Sequence, residues 1–384
     1  MHIVIIGGDG FCGWPLALRL SSLDHEILIL DNFSRRKIDI DLSSNSLTPI
    51  CDLSTRIDEW KKITNKTILF EQINVAHEYE RLKKIISNFK PDTIIHLGEQ
   101  RSAPYSMKNE QTKTYTVDNN LNGTHNILSA IVEIDKNIHL IHLGTMGVYG
   151  YGTIPDTVIP EGYVNVKMGD DDTPVEILHP SYPGSIYHLT KTQDALFFQF
   201  YVKNYKLKIT DLHQGIIWGH NTKETILSEK LINRLDYDSD YGTVLNRFII
   251  QSALDIPLTI YGSGGQTRAF IHIENSMDCI VLALNNPPIS GDRVKIFNQI
   301  TETHKLSDLA NMIQHLYPNT KISHIENPRK ELVSNDLKVS NKQFLDLGLN
   351  PIKLDKEHIG EIYDLVSLYS DRITTKLIYP SSFW

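Results

Sequence analysis

Cysteine is scarce in this chain: 384 residues contain three, at Cys12, Cys51 and Cys279. No two form a closely spaced pair, so neither a zinc site nor a disulfide framework is suggested, and no metal is expected. Long apolar stretches are also lacking. No run approaches the roughly 20 residues that span a bilayer, and the first residues enter an apolar strand without a basic lead. Neither a membrane span nor a secretory leader is expected, and the cytoplasm is the default compartment. Positive charge is in deficit, with 38 Lys and Arg against 46 Asp and Glu and a formal net charge of −8. Binding along a phosphate backbone needs a basic surface, so nucleic acid is not an expected partner. Internal repeats and low-complexity tracts are missing too. What remains is 41% hydrophobic and 22% charged, the make-up of a globular chain with one main domain and a smaller companion.

The first half alternates apolar β-type runs (residues 3–6, 26–30, 67–70, 93–97 and 139–143) with amphipathic helical stretches at 15–22, 78–88 and 120–133. Nearly continuous apolar strands separated by helices predict an α/β fold, a Rossmann-type doubly wound parallel sheet covered on both faces. A further strand over 209–218 is expected to rejoin that sheet. Residues 152–184, rich in Pro, Asp and Gly with three acids at Asp170–Asp172, read as a long excursion containing a hairpin. The stretch 221–240 is polar and irregular, 243–252 is helical in pattern, and 261–268 reads as a turn feeding a strand. The expected division is a dinucleotide-binding domain over 1–218, with a return of the chain near 269–300. Residues 219–268 and 301–384 form a smaller α+β substrate-binding lobe.

Gly7, Gly10 and Gly13, with Phe11 and Cys12 between them, follow the first strand at GxxGxxG spacing. Such a loop lets the backbone approach a pyrophosphate and starts a helix whose positive end faces it. Asp31-Asn32 ends the second strand, where a carboxylate accepts bonds from the adenosine ribose and disfavours a 2′-phosphate, pointing to NAD. Arg35 and Arg36 follow, a basic pair that could equally hold a phosphate. Asn74-Val75 closes the third strand at the adenine position, and Gly98-Glu99 follows the fourth, beneath the cofactor.

Ser185-Ile-Tyr187-His188-Leu-Thr-Lys191 carries the chemistry. Tyr187 and Lys191 share a helical face one turn apart. A phenol that titrates near about 10 in isolation can act as a base at neutral pH only beside a cation, which Lys191 supplies. Thr145, at the end of the 139–143 run, brings a hydroxyl to the same substrate oxygen. With the glycine loop, these residues describe a nicotinamide enzyme acting on a carbinol. His188 offers a second acid/base group; the competing reading is a packed helix histidine.

These motifs resemble the extended short-chain dehydrogenase/reductase superfamily. Longer strings resemble its UDP-sulfoquinovose synthase family: Gly7-Gly-Asp-Gly-Phe-Cys-Gly-Trp14, Gly98-Glu-Gln-Arg-Ser-Ala-Pro-Tyr-Ser-Met107, Asp211-Leu-His-Gln-Gly215, Arg234-Leu-Asp-Tyr-Asp238, Gly242-Thr-Val-Leu-Asn-Arg-Phe248, Tyr261-Gly-Ser-Gly-Gly-Gln-Thr-Arg268 and Asn327-Pro-Arg329. The resemblance implies NAD-dependent oxidation of UDP-glucose at C4, loss of the C6 hydroxyl to a 5,6-alkene, sulfite addition, and reduction at C4. It implies a substrate site that includes Thr145 and Tyr187 with Gln100, Ser102, Gln214, Asn246 and Gln266. Within that site Arg247, Arg268 and Arg329 serve the diphosphate, and Arg101 the sulfite or sugar.

Two departures stand out. The family's Thr-Met-Gly-Glu-Tyr-Gly is Thr145-Met146-Gly147-Val148-Tyr149-Gly150 here, and valine transfers no proton. The family's acidic run after Arg329 becomes Lys330-Glu-Leu-Val-Ser-Asn-Asp-Leu337. Val148 keeps open an NAD-dependent sugar-nucleotide 4-epimerase or dehydratase of surface-glycan biosynthesis. A non-catalytic NAD-sensing protein is the third reading, opposed by the intact Thr145, Tyr187 and Lys191. A homodimer through the helical stretches 120–133 and 191–204 is the superfamily expectation.

Overall fold

The computed structural model describes residues 1–150, 157–169 and 173–384. The acidic run Asp170–Asp172 lies outside the described residues. Seven strands form the main sheet: β1 (His2–Ile6), β2 (Glu26–Asp31), β3 (Ile68–Gln72), β4 (Thr93–His96), β5 (His139–Thr145), β6 (Lys208–Gln214) and β7 (Lys295–Gln299). All neighbours are parallel, in the order β7-β6-β5-β4-β1-β2-β3.

Alternation along each strand divides the core in two. Ile3, Ile5, Ile27, Ile29, Ile95 and Ile141 face α1 (Gly13–Ser22) and the helix Ile273–Asn285. Val4, Ile6, Leu28, Leu30, Ile94 and Leu140 face α2 (Glu110–Ile134), α3 (Ile186–Tyr205) and the helix Tyr79–Phe89. Two buried faces explain why the strands read as unbroken apolar runs. The helix predicted over 120–133 starts ten residues earlier, at Glu110, because Asn109 and Thr112 form a reciprocal capping box.

The strand expected over 209–218 is two strands. β6 stays in the main sheet, and Ile216–Trp218 instead pairs with Gly265–His272 in a second sheet. The break falls at Gly215, whose amide donates to Gln299 and where a Cβ would lie 2.9 Å from the Ala269 carbonyl oxygen. Only glycine lets the two sheets touch there. A third core, including Trp218, Phe248, Phe270, Leu309, Ile313 and Ile362, underlies this second layer. The excursion after β5 contains the antiparallel hairpin Tyr163–Val166 with Val175–Leu178.

The turn after β1 is the tightest point of the fold. Gly7 has φ +85°, and a Cβ there would lie 2.8 Å from the Gly98 backbone; one on Gly13 would lie 2.0 Å from the Gly7 carbonyl oxygen. Gly7→Ala therefore combines a left-handed backbone with a backbone clash and is expected to cost about 2 kcal/mol or more. Thermal unfolding of wild type and variant measures this; an unchanged midpoint would mean that the close approach is not required.

Candidate active site

The carboxyl ends of the main-sheet strands open into a cavity of about 330 Å³, lined from Gly7 to Glu331. At its first end the glycine loop leads into α1 with no side chain capping the helix. The Trp14 amide donates to the Gly10 carbonyl, and the Cys12 and Gly13 amides before it are left to a ligand. The Asp31 carboxylate lines the same end and accepts from the amides of Asp9 and Phe33. Burial first, and then the neighbouring Asp9 charge, push its carboxyl up to about 6. Arg35 is paired with Asp39 and Asp236 and lies 3.7 Å over the Tyr241 ring. Arg36 turns away from the cavity onto Asp9 and the Cys51 carbonyl. Both arginines are thus committed to carboxylates, and the backbone cradle with Asp31 fits NAD.

At the centre, Thr145 ends β5 and accepts from the Gly147 amide at 3.1 Å, capping the short turn Met146–Tyr149. Ser185 caps α3 through the His188 amide at 3.2 Å, which sets Tyr187, His188 and Lys191 on the first turns of that helix. The His188 ring lies against Gly147, where a Cβ would come within 2.3 Å of the imidazole. Burial, followed by Arg329 and Arg268, pulls this imidazole down to about 3; it is neutral at physiological pH.

Lys191 is 4% exposed. Its Nζ lies 2.8 Å from Glu99 Oε2 and 3.0 Å from His142 Nε2, and donates to the Leu143 carbonyl at 2.7 Å. Glu99, expected beneath the cofactor, lines the cavity but points its carboxylate inward to this lysine. Glu99, His142 and Asp194 each bring a donor atom within 4.8 Å of the others, a spacing that suits a cation. Lys191 supplies one, paired with Glu99 and close to the His142 ring.

At the far end Arg247, Arg268 and Arg329 line the cavity together. Arg247 donates to the Tyr261 hydroxyl at 2.8 Å, Arg268 is paired with Glu331, and Arg329 lies 5.3 Å from the Trp384 ring centroid. Burial, together with the other two arginines, lowers the Arg329 guanidinium despite the opposing pull of Glu331. Three guanidiniums around one carboxylate leave a positive excess suited to a diphosphate. Arg101 is elsewhere, tied to Asp236 at 2.6 Å beside the rings of Phe11 and Tyr241.

Most sequence-predicted site residues line this cavity; Arg36, Asn74, Asn246 and Gln266 do not. Asn74 instead caps the turn to Ala76, and Asn246 and Gln266 are buried behind the wall. Gln214 reaches the wall with its amide turned toward Ser276 and Gln299, while the Gln100 side-chain amide donates to the Ser102 carbonyl and accepts from the Ser102 N–H. Val148 packs with Met146, Tyr149, Ile159 and Ile300, away from the cavity. The sequence reading passed over His96, His142 and Asp211, polar residues inside apolar strand runs. Parallel register sets His96 beside His142, and His142 beside Asp211. A charge-bearing residue in a doubly covered strand was the available signal.

The profile of the NAD dependent epimerase/dehydratase family matches residues 3–298. Along its whole length the chain is 40% identical to "UDP-sulfoquinovose synthase, chloroplastic" of Spinacia oleracea, covering 79% of that protein. It is 36% identical to the UDP-sulfoquinovose synthase of Sulfolobus acidocaldarius, again over its whole length and over 98% of the relative. The crystal structure of UDP-glucuronic acid 4-epimerase from Bacillus cereus, in complex with UDP-glucuronic acid and NAD, shares the fold. Its TM-score is 0.67 at 20% identity, over 96% of this chain and 99% of that one. UDP-glucose 4-epimerase from Thermotoga maritima gives 0.69 at 17% identity with the same coverage.

The Asp31 carboxyl yields a pH prediction. Ribose hydroxyls donate best to the ionised form, and protonation sets in below about 6. Affinity for NAD is expected to fall about tenfold between pH 7.5 and pH 5, and to stay flat in Asp31→Asn. Calorimetric titration at the two pH values checks it.

Proposed function

The chain belongs to the NAD dependent epimerase/dehydratase family, and from that membership we propose that it is a UDP-sulfoquinovose synthase-like enzyme. Its substrates would be UDP-glucose and sulfite. The carrying observation is one cavity with Thr145, Tyr187 and Lys191 at its centre and the Arg247–Arg268–Arg329 excess at one end. We read residues 219–268 and 301–384 as the lobe that holds the sugar nucleotide. The full-length similarity to two UDP-sulfoquinovose synthases supports the same reading.

The bound NAD would supply hydride acceptance from C4 and its later return. Tyr187 takes the O4 proton while the Thr145 hydroxyl holds the same oxygen, and the C4 ketone then acidifies the C5 proton. Val148 offers no group for that proton. His188, neutral and set on Gly147 beside the cavity, is the base this chain provides. Burial depresses His188 most, and Arg329 and Arg268 add to it; the diphosphate would offset these two cations. The imidazole is then better able to keep the proton and return it to C6 hydroxide as water leaves. Sulfite adds at C6 of the 5,6-alkene as bisulfite, whose proton passes through His188 to C5, and Tyr187 gives its proton back as C4 is reduced.

Incubation with UDP-glucose, with and without sulfite, followed by mass spectrometry tests this reading. A sulfonated product that requires sulfite is the expected result. UDP-galactose at unchanged mass, or loss of water alone, would replace it with the epimerase or dehydratase reading, which Val148 in its apolar cluster favours. Tyr187→Phe is expected to slow turnover by about 10² to 10⁴-fold, and Arg329→Met to raise the KM for UDP-glucose at least tenfold.

A homodimer is part of the proposal. Leu189, Leu196 and Phe200 on α3 and Val117 on α2 are exposed apolar side chains at 37–58% of full accessibility. On α3 they recur at helical spacing, and a second copy would cover them. Leu196→Glu is expected to shift sedimentation from dimer to monomer; a wild-type monomer would exclude this interface.

A further inference from the structure

Glu99 poses an electrostatic problem. Acidifying Tyr187 takes a net positive charge beside it, yet the Lys191 ammonium is paired with the Glu99 carboxylate at 2.8 Å. A lysine cancelled by its own partner would do little for a phenol. The groups packed around this pair decide the balance. His96 on β4 approaches Glu99 Oε1 at 3.2 Å, and Thr124 on α2 donates to the same oxygen at 3.2 Å. His142 on β5 places Nε2 2.9 Å from Glu99 Oε1 and Nδ1 2.8 Å from Asp211 Oδ1. Asp194 on α3 lies 3.7 Å from His142 Nε2. Asp211 on β6 also meets His213 Nε2 at 2.9 Å, and the His213 Nδ1 lies 2.7 Å from the Tyr149 hydroxyl.

Charges can be counted from this set. Burial lowers the His96 imidazole and, with the neighbouring Glu99 charge, raises the Asp194 carboxyl well above its ordinary range, favouring the neutral form of both. Glu99 and Asp211 stay ionised, stabilised against burial by their cationic neighbours. Burial and Lys191 press the His142 imidazole down, but Asp211 and Glu99 outweigh them and raise it to about 9. A ring between two carboxylates donates from both nitrogens, which makes it a cation. Its Nε2–H is turned to Glu99, and Lys191 Nζ, 3.0 Å from the same nitrogen, is held there by the Glu99 carboxylate that both cations share. Lys191 and His142 against Glu99 and Asp211 sum to zero, but Asp211 meets the His142 nitrogen opposite the one beside Lys191. On the Lys191 side, two cations therefore stand against the single Glu99 carboxylate. Gly144 makes the arrangement possible, since a Cβ there would lie 2.5 Å from Asp211 Oδ1.

We propose that His142 is a positioning residue for Tyr187: it answers the Glu99 carboxylate from behind, so that the Lys191 charge remains available to the phenol. The proposal rests on Tyr187 being the base of the reading above, and its test needs neither substrate nor product. Tyrosinate formation is followed by ultraviolet absorbance as pH rises, each protein read against the same protein carrying Tyr187→Phe. The difference isolates Tyr187. His142→Gln is expected to raise its midpoint by about one unit and Glu99→Gln to lower it by a similar amount. The double variant is expected to return close to wild type, which a merely structural role for either side chain would not produce. If His142→Gln does not fold, His142→Asn takes its place with the same expected upward shift. An unchanged midpoint in either folded single variant, or shifts in the same direction, would overturn the proposal. So would a wild-type Tyr187 midpoint no lower than that of free tyrosine. Failure of the sulfite reaction would appear in the mass spectra and leave this titration untouched.

Discussion

A lysine ammonium buried at the floor of a cavity has to be answered by charge and hydrogen bonds, since an isolated buried ion costs far more than a fold of this size can spare. Lys191 is answered by Glu99 and by the Leu143 carbonyl, and His142 shares the Glu99 carboxylate with it. Those partners stand on β5 and just after β4, while the lysine stands on α3. Meeting its demand therefore fixes the height of α3 against the sheet. The same contacts bring Tyr187 to the cavity wall and draw Asp211 and His213 of β6 into one bonded row. Beyond that row, the Tyr149 hydroxyl donates to Asn298 on β7. The turn that carries Thr145 is thus tied to the same interior network as the lysine.

The cofactor end obeys a steric constraint instead. Strand β1, the glycine loop and the Leu97–Gly98 backbone approach so closely that side chains cannot intervene. That contact holds the start of α1 above the sheet, and the helix is anchored from beneath by Arg19 among Glu224, Glu274 and Asp278. Electrostatics then divides the cavity. Arg35, Arg101 and Arg234 meet two carboxylates, Asp236 and Asp39, whereas Arg268 and Arg329 share Glu331 and Arg247 bonds the Tyr261 hydroxyl. Two arginine groups of similar size therefore offer an anion different potentials, and the second keeps the larger excess.

Much of this was legible beforehand because it depends on local rules. Apolar strand runs of the right length, Gly7, Gly10 and Gly13, and the one-turn spacing of Tyr187 and Lys191 carry their meaning within a few residues. The strand break at Gly215 was not legible, because it answers the Ala269 carbonyl more than fifty residues away. Nor was the direction of the Glu99 carboxylate, which depends on what the next strand presents.

The sequence by itself determined the parallel α/β class, the dinucleotide loop, the acid–base pair on one helix and the family. Each is encoded in periodicity or in short spacings that survive without knowledge of neighbours. Tertiary structure alone decided which arginines gather with an excess of positive charge, that Val148 turns into an apolar cluster, and that His96, His142 and Asp211 line up across three strands. The physical reason is that charge and solvation are properties of an environment. An arginine or a histidine acquires its chemistry from groups that only strand register and helix packing bring within a few ångströms.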